Sequence, residues 1–271
     1  MSTTPSKGTA LITGASSGIG AIYADRLARR GYDLILVARN RGRLDSLAKR
    51  LTTEAGRSVE AVGADLNDKA DLARVETILK TDASITLLVN NAGVGATKPL
   101  LDTDIDSLDS LITLNVTALT RLTYAAVPGF VARGNGAIIN ISSIVAVSPE
   151  ALNGVYGGSK AFVLAFSQSL KHELSDKGIR VHVVLPGATA TDFWQLAGLP
   201  VEHLPETIVM RSEDLVDAAL AGLDQGEFVT IPSLPDAADW DRYEQARAIL
   251  APNLSRQEPA VRYGITLHAA A

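Results

Sequence analysis

Cysteine is absent from the chain, which excludes disulfides, thiolate zinc sites and cysteine nucleophiles and leaves the redox compartment undetermined. Aromatic residues are few, at 5% of the sequence, and no apolar run reaches the uninterrupted length that a membrane helix needs. There is no basic excess either. The 25 Lys and Arg residues stand against 30 Asp and Glu, for a formal charge of −5, and they are interspersed rather than gathered in a stripe. Nothing in that balance attracts a nucleic-acid backbone or an anionic membrane. The N-terminal stretch MSTTPSKGTALITG offers no secretory h-region, because its first apolar run is short and enters a glycine loop directly. These absences predict a soluble cytoplasmic protein that handles small molecules and calls for no metal.

What is present is enough apolar material, 46% of 271 residues, to bury one large core. We expect a single domain over 1–271, with a variable loop at about 190–211 and a C-terminal extension from about 232. Short β-branched or Leu-rich runs alternate with longer stretches of helical period: TALIT, DLILVA, VEAVGAD, TLLVNN, GAIINIS, IRVHVVL and EFVTIP read as strands. Helical patterns lie between them at about 18–30, 41–55, 68–81, 105–131, 153–177 and 212–225. That order predicts an α/β fold, a doubly wound parallel sheet of about seven strands with helices on both faces.

TGASSGIG, Thr13 to Gly20, follows the first strand and opens the first helix. A strand that turns straight into a helix brings unpaired backbone N–H groups and the positive helix end to one point, where a pyrophosphate fits. Gly14 permits the tight turn, Gly18 and Gly20 let backbone, ligand and helix approach closely, and Ser16 and Ser17 offer hydroxyls around Ile19. No Gly-Lys-Ser/Thr follows, so this is not a triphosphate loop of the Walker type.

After the second strand the sequence reads LVARNRGR. An acid at this point in a dinucleotide fold would bind the free 2′-hydroxyl of NAD. Arg39 stands there instead, followed by Asn40, Arg41 and Arg43, so a 2′-phosphate would meet a bidentate cation. The expected cofactor is NADP(H) in preference to NAD(H). In GADLND, Asp65 can accept from an adenine amine while Leu66 flanks the ring, or the segment can simply cap a helix. In LLVNNAGV, Asn90 and Asn91 end the fourth strand where ligand crevices of parallel sheets lie.

Tyr156 and Lys160 stand four apart on a predicted helix and so share a face. A neighbouring ammonium favours phenolate over phenol and can draw a group titrating near about 10 toward working pH, making Tyr156 a general acid–base.

TGASSGIG, NNAG, ISS followed by YGGSK, and PGATAT, in this order, resemble the short-chain dehydrogenase/reductase family over about Thr9 to Thr191. The resemblance implies a Rossmann-type domain that moves a hydride between a nicotinamide and a carbonyl or carbinol carbon. It also implies a catalytic set: Ser143, thirteen residues before Tyr156, holding the substrate oxygen; Tyr156 exchanging the proton; Lys160 lowering the phenol pKa and binding the nicotinamide ribose; and Asn115 in the helix LITLNVTAL. A buried amide there needs partners, and a water connecting it toward Lys160 would supply them. Asn91, Ala92 and Gly93 would line the cofactor, as would Pro186, Gly187, Thr189 and Thr191. Two departures stand out. Thr189 occupies a position where Val or Ile is commoner, and Gly158 one where many members carry Ala.

The stretch DFWQLAGLPVEHLPETIVM follows Thr191 and is apolar, aromatic and broken by prolines. It suits a segment that closes over the nicotinamide and excludes water. Phe193, Trp194 and Leu196, with Val94, Val145 and Leu152, are the expected pocket wall, favouring a bulky or apolar carbonyl. His203 has no evident acid–base role beside the tyrosine. The helix YGGSKAFVLAFSQSLKHEL is apolar nearly all round, which predicts burial on more than one side and a homodimer or homotetramer packed through this helix and 105–131. The full set of catalytic residues favours an NADPH-dependent carbonyl reductase or alcohol dehydrogenase over a non-catalytic redox sensor. Nucleotide-sugar epimerases differ in glycine spacing and in length of substrate domain. The tail beyond 232 predicts one helix over 236–250.

Overall fold

A computed structural model describes residues 6–265. Seven strands, β1 (Thr9–Thr13), β2 (Asp33–Ala38), β3 (Val59–Gly63), β4 (Ile85–Asn90), β5 (Gly136–Ile141), β6 (Ile179–Val184) and β7 (Val229–Thr230), form one sheet in the order β3-β2-β1-β4-β5-β6-β7. Every pairing is parallel. The chain starts at β1, winds outward to β3, then crosses back to β4 and winds the other way. The carboxyl ends of β1 and β4 therefore flank the point where the winding reverses, which is where such sheets open a crevice.

The strands are apolar throughout because both faces are covered. All five residues of β1 are buried. On one face Ala10 and Ile12 pack with Tyr23 and Leu27 of α1 (Gly18–Arg29), Leu44 and Leu51 of α2 (Arg41–Ala55), and Leu215, Ala219 and Leu223 of α8 (Ser212–Gln225). On the other, Leu11 packs with Val75 of α3 (Lys69–Thr81), Leu122 and Phe130 of α5 (Leu119–Arg133), and Leu170 of α6 (Gly154–Leu174). The alternation of successive β1 side chains between these clusters is the period-2 geometry of a strand.

The long helix expected over 105–131 is interrupted. It consists of α4 (Ile105–Ile112), a π-helical stretch Thr113–Ala118, and α5, which runs on to Arg133. Such π stretches are rare and frequently mark functional positions; this one carries Asn115. The last strand is shorter than its sequence pattern, with only Val229 and Thr230 paired to β6. A five-residue helix, α7 (Phe193–Ala197), forms inside the segment read as a variable loop.

The compact unit formed by these elements runs to Pro232, and a second unit begins at Ser233. That second unit contains α9 (Ala237–Leu250), close to the helix expected over 236–250, and none of its described residues is buried.

Candidate active site

The glycine loop joins β1 to α1 as the sequence implies. Gly14 takes φ +65°, and a Cβ on Gly20 would overlap the Gly14 carbonyl oxygen, so both positions demand glycine. Ser17 occupies the N-cap of α1 in extended conformation, yet its hydroxyl makes no capping bond, and no acid lies in the first turn. The free N–H groups and positive end of α1 are thus left for an anion, with the Ser17 hydroxyl beside them. Asn91 braces the loop from β4: its Nδ2 donates to the Thr13 carbonyl at 2.9 Å and to the Gly14 carbonyl at 3.2 Å. Thr13 Oγ1 in turn accepts from the Asn91 and Ala92 amides, each at 3.0 Å. Asn91, Thr13 and the two glycines thus hold the turn in a packing that leaves no room for added methyl groups.

Asn90, read from sequence as facing the crevice, is instead buried in the sheet. Its Nδ2 donates to Asn140 Oδ1 at 2.9 Å and to Thr123 Oγ1 at 3.0 Å, and Asn140 Nδ2 donates to Ser167 Oγ at 2.9 Å. The pair ties β4 to β5 and to helices α5 and α6.

At the other end of the crevice, Arg39 is exposed just beyond β2. Asn40 caps α2, its Oδ1 accepting from the Arg43 amide at 3.0 Å. Arg41 pairs with Asp45 at 2.8 Å, and Arg43 reaches Asp192, just ahead of α7, at 3.3 Å. Beyond β3, the Asp65 Oδ1 accepts from the Asn67 amide, while Asp68 caps α3 through the Ala70 and Asp71 amides. Leu66 is buried.

Asn115 lies in the π stretch, buried. Its Oδ1 accepts from the Val94 amide at 3.0 Å, and its Nδ2 donates to the Val94 carbonyl at 2.9 Å and to Ser159 Oγ at 3.1 Å. The protein itself satisfies this amide, so the water expected to partner it is not needed for that purpose. Gly93 lies beside the Asn115 amide and the Lys160 ammonium: a Cβ there would stand 3.1 Å from Asn115 Oδ1 and 3.4 Å from Lys160 Nζ. Asn115, Gly93 and Lys160 therefore converge.

Asn153 caps α6, with Oδ1 accepting from the Val155 amide at 2.9 Å, and the next turn presents Tyr156 and Lys160. Ser143 follows the end of β5; its Oγ accepts from the Val145 amide at 3.3 Å and donates to the Pro186 carbonyl at 3.4 Å. Burial pushes the Tyr156 phenol up to about 12, and the Ser143 hydroxyl pulls against that shift by hydrogen bonding. Lys160 Nζ donates to the Ile141 carbonyl at 3.0 Å, and burial pushes this ammonium down to about 8. The phenol thus lies above its ordinary value because burial outweighs the Ser143 hydrogen bond, while the Lys160 ammonium is turned toward the Ile141 carbonyl.

Tyr156 forms an apolar nest with Leu108, Leu111 and Val145, against which Val94, Ala96, Leu152, Val155 and Phe193 pack. Four of the six expected wall residues, Val94, Val145, Leu152 and Phe193, are thus gathered around the phenol. Trp194 is buried behind Phe193, edge-on at 5.6 Å, with Nε1 donating to the Thr189 carbonyl at 2.9 Å. Leu196 is not brought in; it is 74% exposed on the outer side of α7. Leu108 and Leu111 were missed, although three-residue spacing on an amphipathic helix signals a shared face. The Thr189 hydroxyl is engaged in its own turn, donating to the Gly187 carbonyl at 3.0 Å, and the Thr191 methyl approaches the Gly18 position. A Cβ on Gly158 would meet no atom within 4 Å.

The family model described as short chain dehydrogenase matches residues 8–199. The chain belongs to the short-chain dehydrogenase family. It is an oxidoreductase of that family, acting between CH–OH and C=O groups on a nicotinamide cofactor. A short-chain dehydrogenase from Sphingobium yanoikuyae, solved in complex with NADPH, is 53% identical, with TM-score 0.92 over 94% of this chain and 99% of that one. The bulky-bulky ketone specific alcohol dehydrogenase from Comamonas testosteroni is 47% identical, with TM-score 0.87 over 94% and 98%. Among curated relatives, the very-long-chain 3-oxoacyl-CoA reductase of Anas platyrhynchos is 34% identical over 74% of this chain and 66% of its own length. Among the described residues no helix is long and apolar enough to cross a membrane.

Proposed function

We propose that this dehydrogenase is an NADPH-dependent reductase of large apolar ketones, and the reverse oxidant of the matching secondary alcohols. The observation that carries the reading is the position of Tyr156, an acid–base group at the foot of a nest of aliphatic and aromatic side chains, with Ser143 acting on its phenol. Apolar substituents find partners in that nest, whereas a sugar acid or a phosphate would give up its hydration against hydrocarbon. The bulky-ketone specificity given for the Comamonas relative supports the same class.

The residues divide the work as follows. The Gly14–Gly20 loop and the α1 N-terminus receive the pyrophosphate, and Arg39 receives the 2′-phosphate, with the NADPH of the Sphingobium structure in support. When bound, the nicotinamide would supply a hydride to the carbonyl carbon in reduction, or take one from the carbinol carbon in oxidation. Ser143 orients the substrate oxygen by a hydrogen bond. In reduction, Tyr156 Oη gives that oxygen its proton and is left as phenolate; in alcohol oxidation it removes the proton. Lys160 holds the ribose hydroxyls and stabilises the phenolate as it forms. Asn115 holds the Val94 segment and Ser159 in place around these groups.

The experiment is oxidation of NADPH and, separately, NADH, followed by absorbance against aldehydes and alkyl, aryl and diaryl ketones. Turnover with NADPH preferred and larger apolar ketones favoured supports the proposal; tight NADPH binding with no carbonyl reduced overturns it. We further read the exposed Tyr124 and Phe162 and the half-buried Phe166 between them, whose rings stack at 6.4 and 5.7 Å across α5 and α6, as a contact between copies of the chain.

A further inference from the structure

The ring of Phe193 does more than line the nest. It lies 5.8 Å from the Tyr156 ring at 48°, and its tip is seated on Gly95, where any Cβ would overlap the Phe193 ring atoms. With this ring in place Tyr156 is only 5% exposed. The seat between Gly95 and Tyr156 therefore has the size, the flatness and the apolar lining of an aromatic ring, and it adjoins the group that exchanges the proton. Its occupant is held by packing alone, with no hydrogen bond from its own side chain. Phe193 is the first residue of a helix only five residues long. That helix is fastened to its surroundings by the Trp194 indole on the Thr189 carbonyl and by Thr97 Oγ1 on the Ala197 carbonyl, at 2.9 and 2.7 Å. Neither bond involves the Phe193 side chain, so turning that side chain out would break neither of them.

We propose that the seat on Gly95 is a substrate subsite for an aryl or similarly flat apolar substituent of the ketone, and that Phe193 is its stand-in when no substrate is bound. This rests on the reductase reading above and adds the subsite and the two residues that set its specificity. A ketone bearing a ring restores the packing that Phe193 gives up as it swings away; one bearing only small alkyl groups leaves the seat empty, with its apolar lining facing water. Gly95 is the floor that makes the seat deep enough for a ring, a role with no signature in the sequence beyond the missing side chain.

Two variants act in opposite senses. Phe193→Ala vacates the seat, so no resident ring has to be displaced, and kcat/KM for 1-phenylpropan-1-one rises about three- to tenfold. Gly95→Ala puts a methyl into the seat and overpacks it, so the same ketone loses about tenfold or more, while butan-2-one changes by less than about threefold. A second measurement needs no turnover: nitration of tyrosines mapped by peptide mass. Tyr156 stays protected in the native protein and becomes labelled in Phe193→Ala, where toluene restores protection and acetone does not. Exposed Tyr263 and buried Tyr23 report that labelling works and that the variant is folded. If the native enzyme reduces no carbonyl, the reductase reading fails while labelling still judges the seat. If labelling of Tyr156 is indifferent to Phe193 and toluene, or if Gly95→Ala penalises both ketones equally, the subsite is wrong.

Discussion

Lys160 turns its ammonium to the Ile141 carbonyl at 3.0 Å while standing 6.0 Å from the centre of the Tyr156 ring. Both groups are buried, and burial moves them in opposite directions, the phenol up to about 12 and the ammonium down to about 8. Each is thereby biased toward its neutral form, because desolvation penalises charge of either sign.

The pH dependence of reduction should follow the lysine. Below about 8 the ammonium is charged and can stabilise the phenolate that proton donation leaves behind; above it that help is lost. We expect kcat/KM for ketone reduction to be level through neutrality and to fall with a break near 8, and Lys160→Arg to lack that break. A profile level to pH 10 in the native enzyme would contradict this. The same shifts set stability. The folded pKa of Lys160 lies below its ordinary 10.5, so the unfolded chain holds more protons between about 8 and 10.5, and this group makes stability rise with pH there. The folded pKa of Tyr156 lies above its ordinary 10.0, so its contribution is lost as pH climbs from 10 toward 12.

Tyr156→Phe keeps the ring and removes only the proton. Turnover should fall by about 10²- to 10⁴-fold, the usual worth of a positioned acid–base group, with NADPH affinity by fluorescence titration changed little. Normal turnover in this variant would remove Tyr156 from the mechanism.

Arg39→Asp replaces an exposed cation by an acid at the end of β2. A charge-assisted hydrogen bond contributes about 1.5–3 kcal/mol, so NADPH should bind about 10- to 100-fold more weakly. NADH, which has no 2′-phosphate, should bind as well or better. Equal losses for the two cofactors would place the 2′-phosphate elsewhere.

Light scattering should report a dimer or tetramer. Paired charge substitutions Tyr124→Glu and Phe162→Glu in the solvent-facing row of α5 and α6 should shift it toward monomer without altering the circular dichroism of the chain. A native protein that is monomeric at micromolar concentration would rule this contact out.

The sheet was legible in the sequence because parallel strands buried on both faces leave near-continuous apolar runs, and because the helices between them carry recognisable caps such as Asn40 and Asp68. The glycine loop was legible for a similar reason: Gly14 and Gly20 answer to backbone angles and close approaches that no other residue tolerates. Helical spacing put Tyr156 and Lys160 on one face, and the ordered family motifs grouped them with Ser143 and Asn115. These are local or periodic constraints, and a sequence writes them down directly.

Other features depend on what comes near from elsewhere in the chain. Asn90 and Asn91 are neighbours of one residue type, yet one is locked to Asn140 across the sheet and the other braces the Thr13–Gly14 turn. Asn115 finds its partners on Val94 and Ser159, far apart in sequence. The opposed pKa shifts of Tyr156 and Lys160 arise from burial, which spacing on a helix does not encode. Leu196 and Phe193 are three residues apart on one short helix, but only Phe193 turns inward, because Gly95 leaves room for its ring. The sequence by itself determined the fold and the glycine turn between β1 and α1. The tertiary structure decided which side chains surround the phenol and pushed its pKa upward, because packing and desolvation are set by residues distant in the chain.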